Sequence, residues 1–327
     1  MSLAVVVPVW NGRPLVEKLL ASVARQTLRP DRILVVDNGS TDGAPEAARE
    51  LGAEVISMGR NAGFAPAVNR GIREARAEWI AVLNSDVELA PDYFALLTAT
   101  GSWFATGRIL SADDSGRVDG TFDLVCRGAT AWRAGNGCAD GPAWRTRRPI
   151  WSPPWTAALF RGALFEKAGL LEERFESYLE DVDFGMRCAA LGLAGEYVPD
   201  AVAWHRGSAA LGRWHRDTVR RISRNQTWLL ARHYSARDLR VCAWPAAVAQ
   251  ALWGLVALRH AAGFAWLRGK IEGLRKFPEF RNECVNHYPL LLDHLRANEA
   301  AIRELQRGSG EDLYWRLYFL LTTSEAK

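Results

Sequence analysis

Ile33-Leu34-Val35-Val36-Asp37-Asn38-Gly39-Ser40-Thr41-Asp42-Gly43 is the stretch that decides the fold. Four apolar residues without polar alternation read as a short strand buried on both faces. The strand breaks off into a run of turn formers headed by a carboxylate. The same device appears on either side. Leu3–Val9 is a longer β-branched run, and Trp79–Leu83 ends at Asn84-Ser85-Asp86. Between these runs Leu15, Leu19, Leu20 and Val23 recur at helical spacing, closed by Arg29-Pro30. Ala44–Leu51 reads as a second helix, Val55–Met58 as a further strand and Ala67–Arg76 as a further helix. Strand and helix alternating at this interval imply right-handed βαβ units and a parallel sheet. Such sheets bind ligands at the carboxyl ends of their strands, so Asp37 and Asp86 are both expected at that crevice.

The remaining composition sets bounds. A chain of 327 residues predicts roughly two domains. An apolar fraction of 49% with 24% charged residues excludes a largely disordered chain. A net charge of +4 makes no overall case for a nucleic-acid partner, and none is expected. Cys126, Cys138, Cys188, Cys242 and Cys284 are odd in number and widely spaced, which disfavours a disulfide framework and a structural zinc site. The opening Met1–Pro8 lacks a basic flank and a cleavage site, so it reads as a first strand and not as a signal peptide. A cytoplasmic setting is expected. Only five of the 41 basic residues are Lys, and Trp is frequent at 14.

From Gly101 to about Pro154 no clear period is visible, and irregular strands and loops are expected. Order returns from Trp155, with a helix around Val182–Leu191 and a short run Glu196–Trp204 leading to His205. After Gly212 the character changes: fifteen basic residues from Arg206 to Arg281 face four acids. Inside that region Val241–Leu258 is uncharged over 18 residues. The length makes a membrane span one reading. Pro245, Gln250 and Gly254 with flanking Arg favour a helix lying in an anionic membrane interface, and a buried or subunit-contact helix is the third reading. Leu313–Leu321 reads as a further amphipathic helix.

Several segments carry candidate chemistry. Asp37 at a strand end can accept hydrogen bonds from a ribose hydroxyl or a base, although Asp-Asn-Gly-Ser is also an ordinary turn. Gly63, in Arg60-Asn61-Ala62-Gly63-Phe64, permits close backbone approach before a helix N-terminus suited to phosphate, or simply caps that helix. No Gly-x-Gly-x-x-Gly fingerprint follows the first strand, against a Rossmann dinucleotide site. Asp86 can offer a hard oxygen to Mg²⁺ or Mn²⁺, or serve as a cap. Glu180, Asp181 and Asp183 crowd three carboxylates into four residues, as suits a general base and also a helix start. Arg187, four residues after Asp183, can pair with it. His205 reads as a packed imidazole or a metal ligand.

Taken in order, these segments resemble inverting family 2 glycosyltransferases of the GT-A fold. The resemblance rests on Val5-Val6-Val7-Pro8-Val9-Trp10-Asn11, Leu34–Asp42, Asn61-Ala62-Gly63-Phe64, Leu83-Asn84-Ser85-Asp86, Phe175–Asp183 and Trp204-His205-Arg206-Gly207-Ser208. It covers roughly residues 2 to 232. It implies an α/β nucleotide-diphospho-sugar transferase fold, a mostly parallel central sheet flanked by helices, with a C-terminal helical region. It also implies that Pro8, Asn11, Asp37, Asn61, Gly63, Asn84 and Ser85 line a nucleotide-sugar donor. By the same resemblance Asp86 and His205 hold a divalent cation (Mg²⁺ or Mn²⁺), and Asp181, flanked by Glu180 and Asp183, is the catalytic base. Asn84 stands where many relatives carry the first Asp of an Asp-x-Asp motif, which weakens the metal site by one charge. With Asn61–Phe64, it resembles the rhamnosyltransferase-like branch and implies a deoxythymidine diphosphate sugar such as rhamnose.

The expected organisation is a nucleotide-sugar half at 1–100, an acceptor half at 101–212 and a basic helical region at 213–327. Expected partners are a glycan or polyprenyl-linked saccharide acceptor, an anionic membrane surface on the inner face of the cell membrane, and a second copy in a homo-oligomer. Two other readings remain: a non-catalytic assembly subunit, and a sugar-nucleotide pyrophosphorylase. The latter fits poorly, because Trp10-Asn11-Gly12-Arg13-Pro14-Leu15 is not a Gly-rich phosphate loop.

Overall fold

The computed structural model describes residues 1–207, 214–283 and 288–323. Ser208, Arg213, Cys284 and the expected boundary at 212/213 lie outside the described residues. The chain forms two units, Met1–Phe122 with Gly135–Ala209, and Asp123–Ala134 with Ala210–Lys327.

In the first unit the strands are β1 (Leu3–Val9), β2 (Arg32–Asp37), β3 (Glu54–Ser57), β4 (Trp79–Leu83), β5 (Val87–Leu89), β6 (Phe104–Ser111) and β7 (Val118–Gly120). After β8 (Asp123–Val125) and β9 (Ala131–Arg133), which belong to the second unit, come β10 (Arg148–Ile150), β11 (Ala157–Arg161) and β12 (Gly195–His205). Its helices are α1 (Arg13–Ala24), α2 (Ala44–Glu50), α3 (Phe64–Ala75), α4 (Tyr93–Thr98), α5 (Gly162–Ala168) and α6 (Glu180–Ala190). The sheet order is β10-β12-β6-β11-β4-β1-β2-β3, with β5 added to β12 and β7 to β6. β1 is buried at every position and pairs in parallel with β2 and β4, which explains its unbroken apolar run.

Strands β1 to β4 of the first hundred residues are parallel, as expected, while β5 pairs antiparallel with β12. The rest of the sheet is mixed: β11 runs antiparallel between β4 and β6, while β12 is parallel to β6. The 101–154 stretch also departs from expectation, because it supplies β6, an eight-residue strand within the sheet. Gly107 hides its period. A Cβ there would lie 2.1 Å from the Ala201 carbonyl oxygen, where β12 slips register between Val198 and Val202. The strand directions bring Asp37, Asn84 and His205 to one edge of the sheet, together with Thr156 at the start of antiparallel β11. Beside that edge α6 is anchored by Phe184, whose ring meets Trp155 edge-on at 5.1 Å and Phe160 at 6.0 Å.

The second unit is helical: α7 (Arg216–His233), α8 (Ala236–Val241), α9 (Ala243–Arg259), α10 (Gly263–Arg275), α11 (Phe277–Asn282), α12 (Leu291–Ser309) and α13 (Leu313–Thr322). The β8–β9 hairpin is part of this unit's core, where Cys126 packs with Val248, Ala249, Leu252, Ile302, Trp315 and Tyr318. An Arg127–Glu299 ion pair of 2.9 Å, with the Tyr318 hydroxyl donating to Glu299 at 2.7 Å, ties the hairpin to α12 and α13. The apolar run expected over 241–258 is α9, and Val248, Ala249 and Leu252 bury one side of it. Among the described residues no helix is long and apolar enough to cross a membrane.

Candidate active site

The loops that follow β1, β2 and β3 are knitted by side chains that the turn sequences supply. Asp37, 6% exposed, accepts the Ser40 backbone N–H at 2.8 Å, and the Ser40 hydroxyl accepts the Asn11 N–H at 2.9 Å. Asn11 returns the contact by accepting the Thr41 N–H at 2.9 Å, from a left-handed backbone at φ 60°. Asp42 receives the N–H groups of Gly12 and Arg13 at 2.6 and 2.9 Å. Burial raises its pKa, but these donors and the Ala44 N–H outweigh that and hold it below the usual carboxylate range. Asn38 then reaches the neighbouring loop, donating to the Gly63 carbonyl at 3.0 Å and accepting the Ala62 N–H at 3.3 Å. Asn61 is exposed and accepts the Gly63 N–H at 3.1 Å. Pro8 is buried opposite Val36 within the sheet.

Gly63 sits at φ 99°, and a Cβ there would stand 3.0 Å from the Glu176 carbonyl oxygen. That carbonyl accepts the Ala65 N–H at 3.0 Å, so the loop before α6 is pinned to the start of α3. The pinned loop is strained. Glu176, Tyr178 and Leu179 all have positive φ (62°, 73° and 66°) without being glycine, at a cost of about 1–3 kcal/mol each. Its product is the placement of Glu180, Asp181 and Asp183 on the first turn of α6. The three carboxylates are then unequal. Asp183 is fully buried and paired with Arg187 at 3.0 Å, and Arg187 also donates to the carbonyls of Ala168 and Leu170. Glu180 is 6% exposed, whereas Asp181 is half-buried and accepts the Val182 N–H at 2.9 Å. The Ser152 hydroxyl donates to the Asp181 carbonyl at 3.4 Å. Four residues on, the Thr156 carbonyl accepts the Asn84 N–H at 2.8 Å. Asn84 and the adjoining Ser85 and Asp86 are half-buried.

Asp86 and His205 meet directly, Oδ1 to Nε2 at 3.1 Å, with 12% and 10% of their side chains exposed. The Arg206 N–H donates to the Asp86 carbonyl at 3.1 Å and fixes the two strand ends together. The other imidazole nitrogen, Nδ1, lies 2.8 Å from Asp119 Oδ2. Asp119 was not singled out from the sequence: it stands in the three-residue strand β7, within the stretch that shows no period. Burial lowers the His205 pKa, yet the hydrogen bonds to Asp119 and Asp86 outweigh it and push the imidazole up to about 9.

Among the described residues no group of three or more His, Cys, Asp and Glu side chains is arranged to hold a metal. The Asp86–His205 pair nevertheless fits two neighbouring positions on a hard cation. Ligands about 2.1 Å from an octahedral ion lie about 3.0 Å apart, close to the 3.1 Å observed. An ion of this kind commonly takes only one or two protein ligands and completes its shell with water and substrate phosphates. Asp119 stands where the outer carboxylate of a metal-bound imidazole would stand.

A central sheet that brings Asp37, Asn84 and His205 to one end, with α6 beside it, is the architecture of the GT-A class. The structural relatives carry the same fold. GalNAc-T7 with UDP, GalNAc and Mn²⁺ superposes with a TM-score of 0.63 at 14% identity, over 92% of this chain and 58% of that one. The mannosyltransferase PcManGT from Pyrobaculum calidifontis, in complex with GDP-Man and Mn²⁺, gives 0.51 at 19% identity, over 97% and 86%. The glycosyl transferase family 2 model matches residues 4–100. The N-acetylglucosaminyl-diphospho-decaprenol L-rhamnosyltransferase of Mycobacterium tuberculosis is 31% identical over 242 residues, 64% of this chain and 78% of that protein. The chain belongs to glycosyl transferase family 2, in its rhamnosyltransferase-like branch, and is a glycosyltransferase.

Proposed function

We propose that the chain transfers a deoxyhexose, rhamnose from a deoxythymidine diphosphate donor, to a hydroxyl of a polyprenyl-diphosphate-linked saccharide during assembly of a cell-surface polysaccharide. The observation that carries this reading is the linkage of three loops: Asn38, next to Asp37, bonds the Gly63 loop, Glu176 is pinned to the start of α3, and the loop from Glu176 runs into Asp181. It joins a nucleotide-competent loop to a half-buried carboxylate on a helix start. The acceptor named for the mycobacterial relative, an N-acetylglucosaminyl-diphospho-decaprenol, supports the acceptor class.

In this reading Asp37 accepts hydrogen bonds from the base or ribose, and Pro8 and Asn11 shape that end of the crevice. Asn61, the Gly63 backbone, Asn84 and Ser85 line the diphosphate. Asp181 takes the proton from the acceptor hydroxyl as that oxygen attacks the anomeric carbon from the face opposite the leaving diphosphate, which inverts the configuration. Asp183 and Glu180 hold the first turn of α6 so that Asp181 keeps its aim. A divalent cation, when bound by Asp86 and His205, supplies charge neutralisation for the departing nucleoside diphosphate. Asp119 holds the proton on His205 Nδ1 and leaves Nε2 as the ligand atom. The setting is the inner face of the cell membrane, where the lipid-linked acceptor is presented.

The test is direct. Purified chain is given deoxythymidine diphosphate rhamnose or uridine diphosphate hexoses with a short-chain polyprenyl diphospho-N-acetylglucosamine, and products are read by mass. One deoxyhexose added from the deoxythymidine donor is expected. Nucleotide binding without turnover on any donor would instead establish a non-catalytic assembly subunit.

A further inference from the structure

Helix α10 turns Trp266 and its small residues inward and a row of four large apolar residues outward. Ala265, Gly269 and Gly273, four apart, are buried. A Cβ on Gly269 would lie 2.2 Å from the Arg220 carbonyl oxygen, and one on Gly273 would lie 2.8 Å from the Thr227 Cβ, so the helix lies directly against α7. The opposite face carries Phe264, Leu267, Ile271 and Leu274, exposed by 82, 46, 42 and 63%. A helix that completes a water-facing surface buries its large apolar side chains; this one packs Trp266 inward but leaves the other four in water. The neighbouring helix α9 extends the exposed apolar face with Leu255 and Leu258, both at least 60% exposed.

The charge around this face has one sign. Around it stand Arg259, Arg268, Arg275 and Lys276 against the single acid Glu272, while Lys270 is turned inward onto Ser223, Gln226 and Gln250. That acid is already engaged by Arg220 at 2.6 Å and Arg268 at 3.0 Å. Self-association through such a face would bring guanidinium groups together. An anionic surface neutralises them instead and accepts the apolar row at the same depth.

We infer that α10, with the C-terminal half of α9, is a membrane-docking face that inserts Phe264, Leu267, Ile271 and Leu274 into the headgroup boundary of an anionic bilayer. This deepens the proposed function and takes its purpose from that reading, because a polyprenyl-linked acceptor is reached only at such a surface. It also moves the expected contact from the 241–258 run, whose one side is buried, to the helix that follows.

The experiment is co-sedimentation of the full chain with phosphatidylcholine vesicles and with mixed phosphatidylcholine–phosphatidylglycerol vesicles, without substrates. The expected result is binding to the anionic vesicles only, weakened by salt. Phe264→Ser with Leu274→Ser should reduce that partitioning roughly tenfold or more, with an unchanged melting curve because both side chains are the most exposed of the row. Arg275→Gln with Lys276→Gln should reduce it to a lesser degree. Failure of the wild type to bind anionic vesicles at low salt, or equal binding by the Ser variant, overturns the inference. A wild-type dimer that the Ser variant splits, with vesicle binding unaltered, overturns it in favour of a contact between copies. Transfer to a water-soluble acceptor analogue is measured in parallel, and the Ser variant should retain it. Vesicle binding without transfer to any acceptor would defeat the functional reading and leave the docking face standing.

Discussion

Replacing Asp119 tests the proposed cation site without touching either proposed ligand. Asp119 Oδ2 lies 2.8 Å from His205 Nδ1, and the two side chains are 22% and 10% exposed. A hydrogen bond to a charged partner contributes about 1.5–3 kcal/mol and a neutral one about 0.5–1.5 kcal/mol, so Asp119→Asn should forfeit about 1–1.5 kcal/mol of ligand orientation. At about 1.4 kcal/mol per decade, that is roughly a tenfold weaker Mn²⁺ affinity. Asp119→Ala removes the acceptor altogether and lets the imidazole carry its proton on Nε2, facing Asp86. Its loss should approach the upper end of the roughly 10–100-fold range for outer-sphere partners of metal ligands. Mn²⁺ binding is read by electron paramagnetic resonance or calorimetry with a nucleoside diphosphate present, and circular dichroism confirms the fold of each variant. Wild-type Mn²⁺ affinity in both variants would refute the orienting role. A wild-type protein that binds no Mn²⁺ with nucleotide present would refute the cation site itself.

Asp181→Asn should abolish transfer while donor affinity by calorimetry stays within about twofold; preserved turnover would remove Asp181 from the base role. Asp183→Asn should act on stability, costing about 3–5 kcal/mol in a denaturant titration because Arg187 stays buried without its carboxylate. Asp86→Ala should weaken Mn²⁺ binding more than Asp119→Asn does, and an equal or smaller loss would count against Asp86 as a ligand. Lys270 is pushed down to about 7 by burial, with its ammonium donating to the Ser223 carbonyl, Gln226 and Gln250. Between pH 7 and 10.5 the unfolded chain therefore binds this proton more tightly than the folded one, and Lys270 contributes stability that rises with pH across that window. Lys270→Met should remove that rise from the pH dependence of the melting temperature; an identical slope in the variant would contradict it.

The parallel half of the sheet was readable because burial on both faces leaves an unbroken apolar run, as in Leu3–Val9 and Trp79–Leu83. The same reasoning placed Asp37 and Asp86 at strand ends, where local order alone decides position. β6 escaped because Gly107 answers to a backbone about ninety residues away, which no local period reports. Asp119 escaped for a related reason: its meaning lies in a contact with His205 across 86 residues of chain. The three carboxylates of Glu180–Asp183 looked alike in sequence, and only burial separates the enclosed Asp183 from the half-buried Asp181. On α10 the apolar residues were visible, but the side they occupy depends on Gly269 and Gly273 packing against α7.

The hairpin at Asp123–Ala134 has a consequence for how the molecule is made. The chain enters its second unit, leaves it, and returns only after Ala209, so the two units are joined by three peptide crossings. Arg127 waits 172 residues for Glu299. At synthesis rates of roughly 5–20 residues per second, that delay is on the order of ten to thirty seconds. During it the hairpin emerges from the ribosome with Leu124, Cys126 and Trp132 lacking the helices that later cover them. A single cut near residue 209 would not isolate a finished catalytic half either, because it would strand the same hairpin. The order of translation, and not only the final packing, therefore bears on whether this protein can be produced in pieces.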